Sequence, residues 1–300
     1  MPEPINITFL GTGAAIPTLK RRHAAILFQY GGDYFLFDCG EGTQLQLEKA
    51  RVSPMKLSKI FITHWHADHF AGLLPMIETL HLSRRNEPLE VYGPEASRFI
   101  DAIIELSYWG IGFGIKAIDT DEEKNIEKLI DNEKYEIYAI KVNHSVPTVG
   151  YCFKEKDHWS IDVKKAKKYG LEGKILREIK LKGEVKVGKK TVKLSQIATK
   201  KEGRKIVYSG DTTPCKDLFE MARGADLLIH DGTFVELPSV ERPHSSGVEV
   251  ARLAKKYNVK KLVLTHLSRR YKTNKEVLDA VKPIFKNVVV AEDLMKITLK

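Results

Sequence analysis

Lys59-Ile60-Phe61-Ile62-Thr63-His64-Trp65-His66-Ala67-Asp68-His69 is the stretch that decides how this chain is read. A largely apolar, strand-like run passes directly into His64, His66, Asp68 and His69, four potential metal ligands within six positions. Where a buried strand ends, the backbone can turn sharply, and side chains that alternate and then adjoin converge on one small volume. Neutral imidazole and carboxylate are the groups that hold zinc in catalytic sites. A lone His-x-His would be read as a satisfied structural pair. The whole run reads instead as a metal site.

Further polar residues close apolar runs elsewhere. His144 follows Ala139–Asn143, Asp211 follows Ile206–Gly210, and His266 follows Leu262–Thr265. Ligand-binding groups of α/β folds gather at such strand ends. Taken singly, each is equally well a polar strand cap. Strands are expected at Ile5–Leu10, Ala25–Tyr30, Tyr34–Asp38, Leu89–Tyr92, Tyr135–Val142, Lys205–Ser209, Leu227–His230, Lys261–Thr265 and Val288–Ala291. Helical spacing marks Gly40–Ala50, Phe70–Leu82, Lys216–Ala222, Ser246–Lys256 and Asn274–Lys282. The alternation predicts an α/β fold with helices on both outer faces of its strands.

Composition narrows the class. At 43% hydrophobic over 300 residues the chain can bury a sizeable core. No apolar run reaches the roughly 18 residues of a membrane span. Met1-Pro2-Glu3-Pro4 lacks a charged leader with an apolar segment behind it, so no export is expected. Cys39, Cys152 and Cys215 are isolated and odd in number, which favours a reducing cytoplasm over a disulfide framework. Lys and Arg (49) outnumber Asp and Glu (39), a net charge of +10 that suits a polyanionic partner and equally a thermally adapted surface. From Asp157 to Lys193 the chain is dense in lysine and punctuated by glycine, either a solvated surface hairpin or a protruding basic arm.

The order His-x-His-x-Asp-His, then His, Asp and His, resembles the metallo-β-lactamase superfamily. Several segments are similar, more narrowly, to the ribonuclease Z (tRNase Z) family: Phe9–Gly13, Asp38–Gln44, Ser209–Thr212, Leu228–Phe234, His244–Ser246 and Leu264–Tyr271. The resemblance implies a four-layer αβ/βα sandwich formed by a single domain over residues 1–300, with an inserted tRNA-binding arm at 157–193. It implies two Zn²⁺ per subunit, with Mn²⁺ an alternative. His64, His66 and His144 would hold one ion and Asp68, His69 and His266 the other, with Asp211 bridging. The activity implied is removal of the 3′ trailer from precursor tRNA after the discriminator nucleotide, in the cytoplasm and by a homodimer, with no membrane and no protein partner. Asp68 would orient the attacking water or accept its proton, and His244 would protonate the leaving oxygen. Asp231 stands where relatives usually carry Glu, as a partner that orients His244.

Two segments depart from the family pattern. The loop Pro17-Thr18-Leu19-Lys20-Arg21-Arg22 keeps the proline and Arg21 but loses a Lys and an Asn that relatives carry. Lys20, Arg21 and Arg22 remain the expected contacts to an RNA 3′ end. In the arm, Leu181-Lys182-Gly183 survives while the preceding turn reads Leu171-Glu172-Gly173-Lys174, predicting a reshaped arm with Lys174, Arg177, Lys180 and Lys182 as RNA contacts. Two other readings compete: a small-molecule phosphodiesterase or ester hydrolase of the same fold, and a metal-stabilised binding protein without chemistry. A purely structural zinc would use a closed four-ligand site, which disfavours the latter.

Overall fold

The structure, a computed structural model, describes residues 3–108, 110–188, 190–236 and 243–300. Met1 and Pro2, at the start expected to lack a leader, and Lys189, within the basic segment, lie outside the described residues. The first half of the chain forms strands β1 (Ile5–Gly11), β2 (Ala25–Tyr30), β3 (Asp33–Phe37), β4 (Leu57–Phe61), β5 (Leu89–Gly93) and β6 (Ile115–Asp119). Next come β7 (Ile126–Asp131), β8 (Tyr135–Lys141) and β9 (Val149–Glu155), and then four short strands of an insertion, β10 (His158–Ile161), β11 (Glu184–Val187), β12 (Lys190–Lys193) and β13 (Ala198–Lys201). The chain finishes with β14 (Lys205–Tyr208), β15 (Leu227–Asp231), β16 (Leu262–Thr265), β17 (Val288–Val290) and β18 (Lys296–Leu299). Two seven-stranded sheets result, ordered β18-β1-β2-β3-β4-β5-β6 and β17-β16-β15-β14-β9-β8-β7. Each is antiparallel on one side and parallel on the other.

Period-two alternation sends the side chains of each central strand into two different cores. Ile26 and Phe28 of β2, and Ile206 and Tyr208 of β14, face the layer between the sheets. Their neighbours Leu27 and Val207 face the helices outside. The inner layer is aromatic: Phe28 lies 4.6 Å from Phe153 and Phe61 lies 4.8 Å from Tyr92, centroid to centroid. Helices Thr43–Lys49, Leu73–Leu82 and Ala96–Leu106 cover the first sheet, burying Leu47, Met76, Ile77, Ile100 and Ile103. Helices Lys216–Met221, Gly247–Lys256 and Asn274–Val281 cover the second with Leu218, Phe219, Val250, Ala254 and Val277. This is the expected four-layer αβ/βα sandwich.

Some elements depart from the sequence expectation. Strands β6, β7, β9 and β18 are additional; β6, β7 and β18 lie at sheet edges, where one exposed face removes the continuous apolar run that marks a buried strand, whereas β9 is central and buried between β14 and β8. The helical region Phe70–Leu82 is split at Gly72, whose amide donates to the Cys39 carbonyl at 2.8 Å instead of continuing the helix, in a space too tight for a Cβ. The inserted segment is a folded unit rather than a bare hairpin. Helices Val163–Lys168 and Lys174–Lys182 and the β11–β12 hairpin enclose Ala166, Leu171, Ile179, Val185, Val192 and Ile197. It also runs past the expected end at Lys193. Antiparallel pairing of β10 with β13 closes it at Lys201, and the closing strand Ala-Thr-Lys-Lys is too polar to be seen in the sequence.

Truncation of Phe28 to Ala removes the ring that bridges the sheets. It is expected to cost about 3–5 kcal/mol in denaturant unfolding. A loss under about 1 kcal/mol would show that the inner layer closes around the gap.

Candidate metal centre

Every candidate ligand lies beyond the end of a strand at one rim of the sandwich. After β4 the backbone alternates, so His64 and His66 point into the rim while Trp65 points away. The Trp65 ring stacks on Phe99 at 4.2 Å and its indole N–H donates to the Pro94 carbonyl. The chain then turns into the short helix Ala67–Phe70, which brings Asp68 and His69 to the same rim. His144 arrives from beyond β8, Asp211 from beyond β14 and His266 from beyond β16. Two backbone positions make the approach possible. Gly210 has φ 60 and sits against Thr63, whose side chain a Cβ would meet at 2.8 Å, and His266 itself takes a left-handed φ of 57.

These residues form two adjoining clusters. In one, His64 Nε2 lies 3.0 Å and His144 Nε2 3.2 Å from His66 Nδ1. In the other, the Asp211 carboxylate stands 3.3 Å from His69 Nε2 and 3.2 Å from His266 Nε2, and Asp68 Oδ2 stands 3.2 Å from His266 Nε2. Asp211 also reaches toward the first cluster, 4.0 Å from His64 Nε2. The donor set fits divalent cations. His69 Nε2 and Asp211 Oδ1 are buried without a hydrogen-bond partner, although both aim at the shared space. Burial, reinforced by neighbouring imidazoles, pushes His64 well below the usual histidine range and keeps it in the neutral form that ligates. Burial would also lower His69, but the Asp211 and Asp38 carboxylates outweigh it and raise that imidazole well above its ordinary value. Such a rim attracts positive charge.

Behind the clusters stand residues that orient them. Asp38, fully buried at the end of β3 with φ 58, accepts from His69 Nδ1 at 2.8 Å, Tyr208 Oη at 2.7 Å and the Thr63 amide at 2.8 Å. Asp38 opens one of the family-like segments, but no role is expected of it from sequence. Its signal, a carboxylate closing the apolar run Tyr34–Phe37, is the same one that marks Asp211. His144 Nδ1 lies 2.9 Å from the Pro243 carbonyl, and His266 Nδ1 lies 2.9 Å from Thr233 Oγ1. His244 sits at the edge of both clusters, its ring centroid 5.4 Å from those of His144 and His266. Asp231 Oδ2 is 3.0 Å from His244 Nδ1. Burial would lower His244, but Asp231, followed by Asp211, holds it above the ordinary value. The short side chain of Asp231 therefore reaches His244.

The basic candidates are distributed differently. Lys20 is exposed and Arg22 half-buried, as is Arg21. The Arg21 guanidinium donates to Thr12 Oγ1, the Ala291 carbonyl and Asn274 Oδ1, bonds of 2.5–2.8 Å that hold the loop in place. Three of the five N–H donors of Arg21 are thus committed within the protein, giving it a structural role that the sequence does not reveal. Lys174, Arg177, Lys180 and Lys182 are exposed along helix Lys174–Lys182 of the insertion. Among the described residues no helix is long and apolar enough to cross a membrane, and the three cysteines are free and buried. Replacement of Asp38 by Asn removes the carboxylate that fixes His69. Metal affinity, read by titration against a chromophoric chelator, is expected to fall about 10- to 100-fold, and unchanged affinity would leave Asp38 a purely structural residue.

Comparison with known proteins agrees with this geometry. A family model described as beta-lactamase superfamily domain matches residues 178–267, and one described as anti-Pycsar protein Apyc1 matches residues 5–98. The chain is 40% identical to a ribonuclease Z of Methanosarcina acetivorans over 98% of each protein. It is also 40% identical to one of Archaeoglobus fulgidus over 97% of each. Among solved structures, the short form of human tRNase Z superposes with a TM-score of 0.69 at 32% identity, covering 97% of this chain and 98% of that one. A metallo-beta-lactamase fold protein of Bacillus subtilis, at 20% identity and a TM-score of 0.71, covers 99% of this chain and 100% of that one and shares the fold. Identity of this extent over nearly the full length places the chain in the ribonuclease Z family, metal-dependent endoribonucleases built on the metallo-β-lactamase fold.

Proposed function

We propose that the protein trims the 3′ ends of precursor tRNA, cutting after the discriminator nucleotide with two Zn²⁺ per subunit. The observation that carries this reading is the joining of two ligand clusters through Asp211, with the Asp231–His244 pair beside them, in a ribonuclease Z chain. His64, His66 and His144 would hold one ion and Asp68, His69 and His266 the other, with Asp211 between them. Bound there, the ions lower the pKa of water and neutralise charge developing on the scissile phosphate. Asp68, whose Oδ2 is held by the Ala15 amide at 2.8 Å, orients the attacking water and takes its proton. Asp231 fixes His244 through Nδ1 and leaves Nε2 to protonate the departing 3′-oxygen of the ribose. Replacing either partner breaks one relay.

The folded insertion supplies the grip on RNA. Lys174, Arg177, Lys180 and Lys182 give it phosphate-binding charge, and Lys20 and Arg22 flank the cleavage rim. The single catalytic domain with its inserted arm acts in the cytoplasm as a homodimer, the arm of one subunit holding the tRNA that the other cuts.

Incubation of zinc-loaded protein with a 3′-extended precursor tRNA should give one cut after the discriminator nucleotide. Hydrolysis of small esters alone would point to a different substrate class. His66→Ala should lose metal, measured by elemental analysis, together with turnover. Replacing residues 158–201 by a short Gly-Ser linker should weaken tRNA binding and flatten its salt dependence, by about one unit of slope for each phosphate no longer held. Hydrolysis of a small phosphodiester should continue in that variant, and equal loss of both activities would reject the arm as the RNA grip.

A further inference from the structure

The insertion is rooted at the far end of the two strands that carry part of the metal centre. β9 begins near His144 and ends at Glu155, where the chain leaves for the insertion. The chain returns through Gly203 and Arg204 into β14, which leads to Asp211. β9 and β14 are paired antiparallel from Lys205↔Lys154 to Tyr208↔Tyr151, so one ladder joins the root of the insertion to the rim. The seven residues of β9 set the separation at roughly 20 Å.

The root itself is clamped. Arg204 Nε donates to Glu155 Oε2 at 2.8 Å and Arg204 Nη2 to Glu155 Oε1 at 2.7 Å, a bidentate pair with both partners buried. The same guanidinium donates to the Leu299 carbonyl of β18 at 2.7 Å and the Glu3 carbonyl before β1 at 2.6 Å. Tyr30 of β2 donates to Glu155 Oε1 at 2.7 Å. The backbones are locked as well, with the Glu155 amide 2.9 Å from the Arg204 carbonyl and Gly203 packed where a Cβ would overlap the Glu155 carbonyl. Hence the two residues that flank the insertion are bound to strands of both sheets. A buried bidentate pair with every other acceptor satisfied is the arrangement in which such a pair rigidifies, and it needs the planar fork of arginine.

We infer that Arg204 is a positioning residue for RNA cleavage: its clamp on Glu155, Leu299 and Glu3 fixes the angle at which the insertion leaves the β9–β14 ladder, and so the direction in which the insertion presents RNA to a cleavage rim, its own or the partner subunit's. The inference rests on the tRNA reading above for its substrate, but its geometric part stands apart from that reading. Lysine at 204 would keep the charge and lose the fork. The insertion would then sample a range of angles, and RNA held by it would seldom place its scissile phosphate at the rim. The centre itself, roughly 20 Å away along intact strands, would be untouched.

The test uses full-length Arg204→Lys and Arg204→Met, with spin labels at Glu184→Cys on the insertion and Glu87→Cys on the body. In either variant the distance distribution between the labels should broaden. KM for precursor tRNA should rise on the order of 10- to 100-fold, as misplacement at a distance predicts, while hydrolysis of a small phosphodiester holds its kcat and KM. An unchanged distance distribution overturns the clamp. So does a parallel fall in small-ester turnover, which would mark Arg204 as a general stabiliser of the fold. Should the wild-type protein fail to cut precursor tRNA, the substrate reading fails, and the label distances alone decide the clamp.

Discussion

A carboxylate without access to water has to be surrounded by donors, and Asp38 shows what that demand does to a fold. Its oxygens gather Thr63 from the end of β4, Tyr208 from the opposite sheet and His69 from the helix beyond the metal run. Each donor belongs to a different element, so satisfying one buried charge fixes the relative position of all of them. Loss of one donor would leave charge uncompensated between the sheets and loosen the side chains facing the clusters. The rim is ordered because the layer beneath it allows no other arrangement.

The clusters themselves were largely legible, since each ligand announces itself as a polar residue closing an apolar run. The supports were not. Tyr208 reads as one more apolar strand residue, and only packing of the second sheet against the first brings its hydroxyl to Asp38. Arg21 has a structural role hidden for the converse reason. A basic residue in a rim loop reads as an RNA contact alone until the fold supplies Thr12 from the same loop region and Ala291 and Asn274 from distant segments to engage three of its donors. Edge strands and the closing strand of the insertion were missed because exposure on one face erases the pattern on which strand reading depends, while the buried central strand Val149–Glu155 was passed over although its Val149, Tyr151, Cys152 and Phe153 form an apolar run. The core of the insertion, built from Ala166, Ile179 and Val192, was masked by the lysines that solubilise its outer face.

The same physics separates the two arginines of most consequence. Arg21 and Arg204 both spend their guanidinium groups internally, but on different tasks. One pins a loop beside the rim. The other pins the base of the insertion to a pair of backbone carbonyls and a buried carboxylate at the opposite end of the strands. The two ends of these strands are thereby held at a fixed separation, one carrying the rim and the other the insertion.

The distribution of the rim residues along the chain has a consequence for its synthesis. His64, His66 and His144 are all present once the first half has emerged from the ribosome, whereas Asp211 and His266 follow only after the insertion and the parallel strands of the second sheet. Up to that point the emerged chain carries the histidines of the first cluster without the carboxylate that joins it to its neighbour. Completion of the rim thus waits until residues 158–201 have been made, and the two clusters can be joined only in a nearly full-length chain.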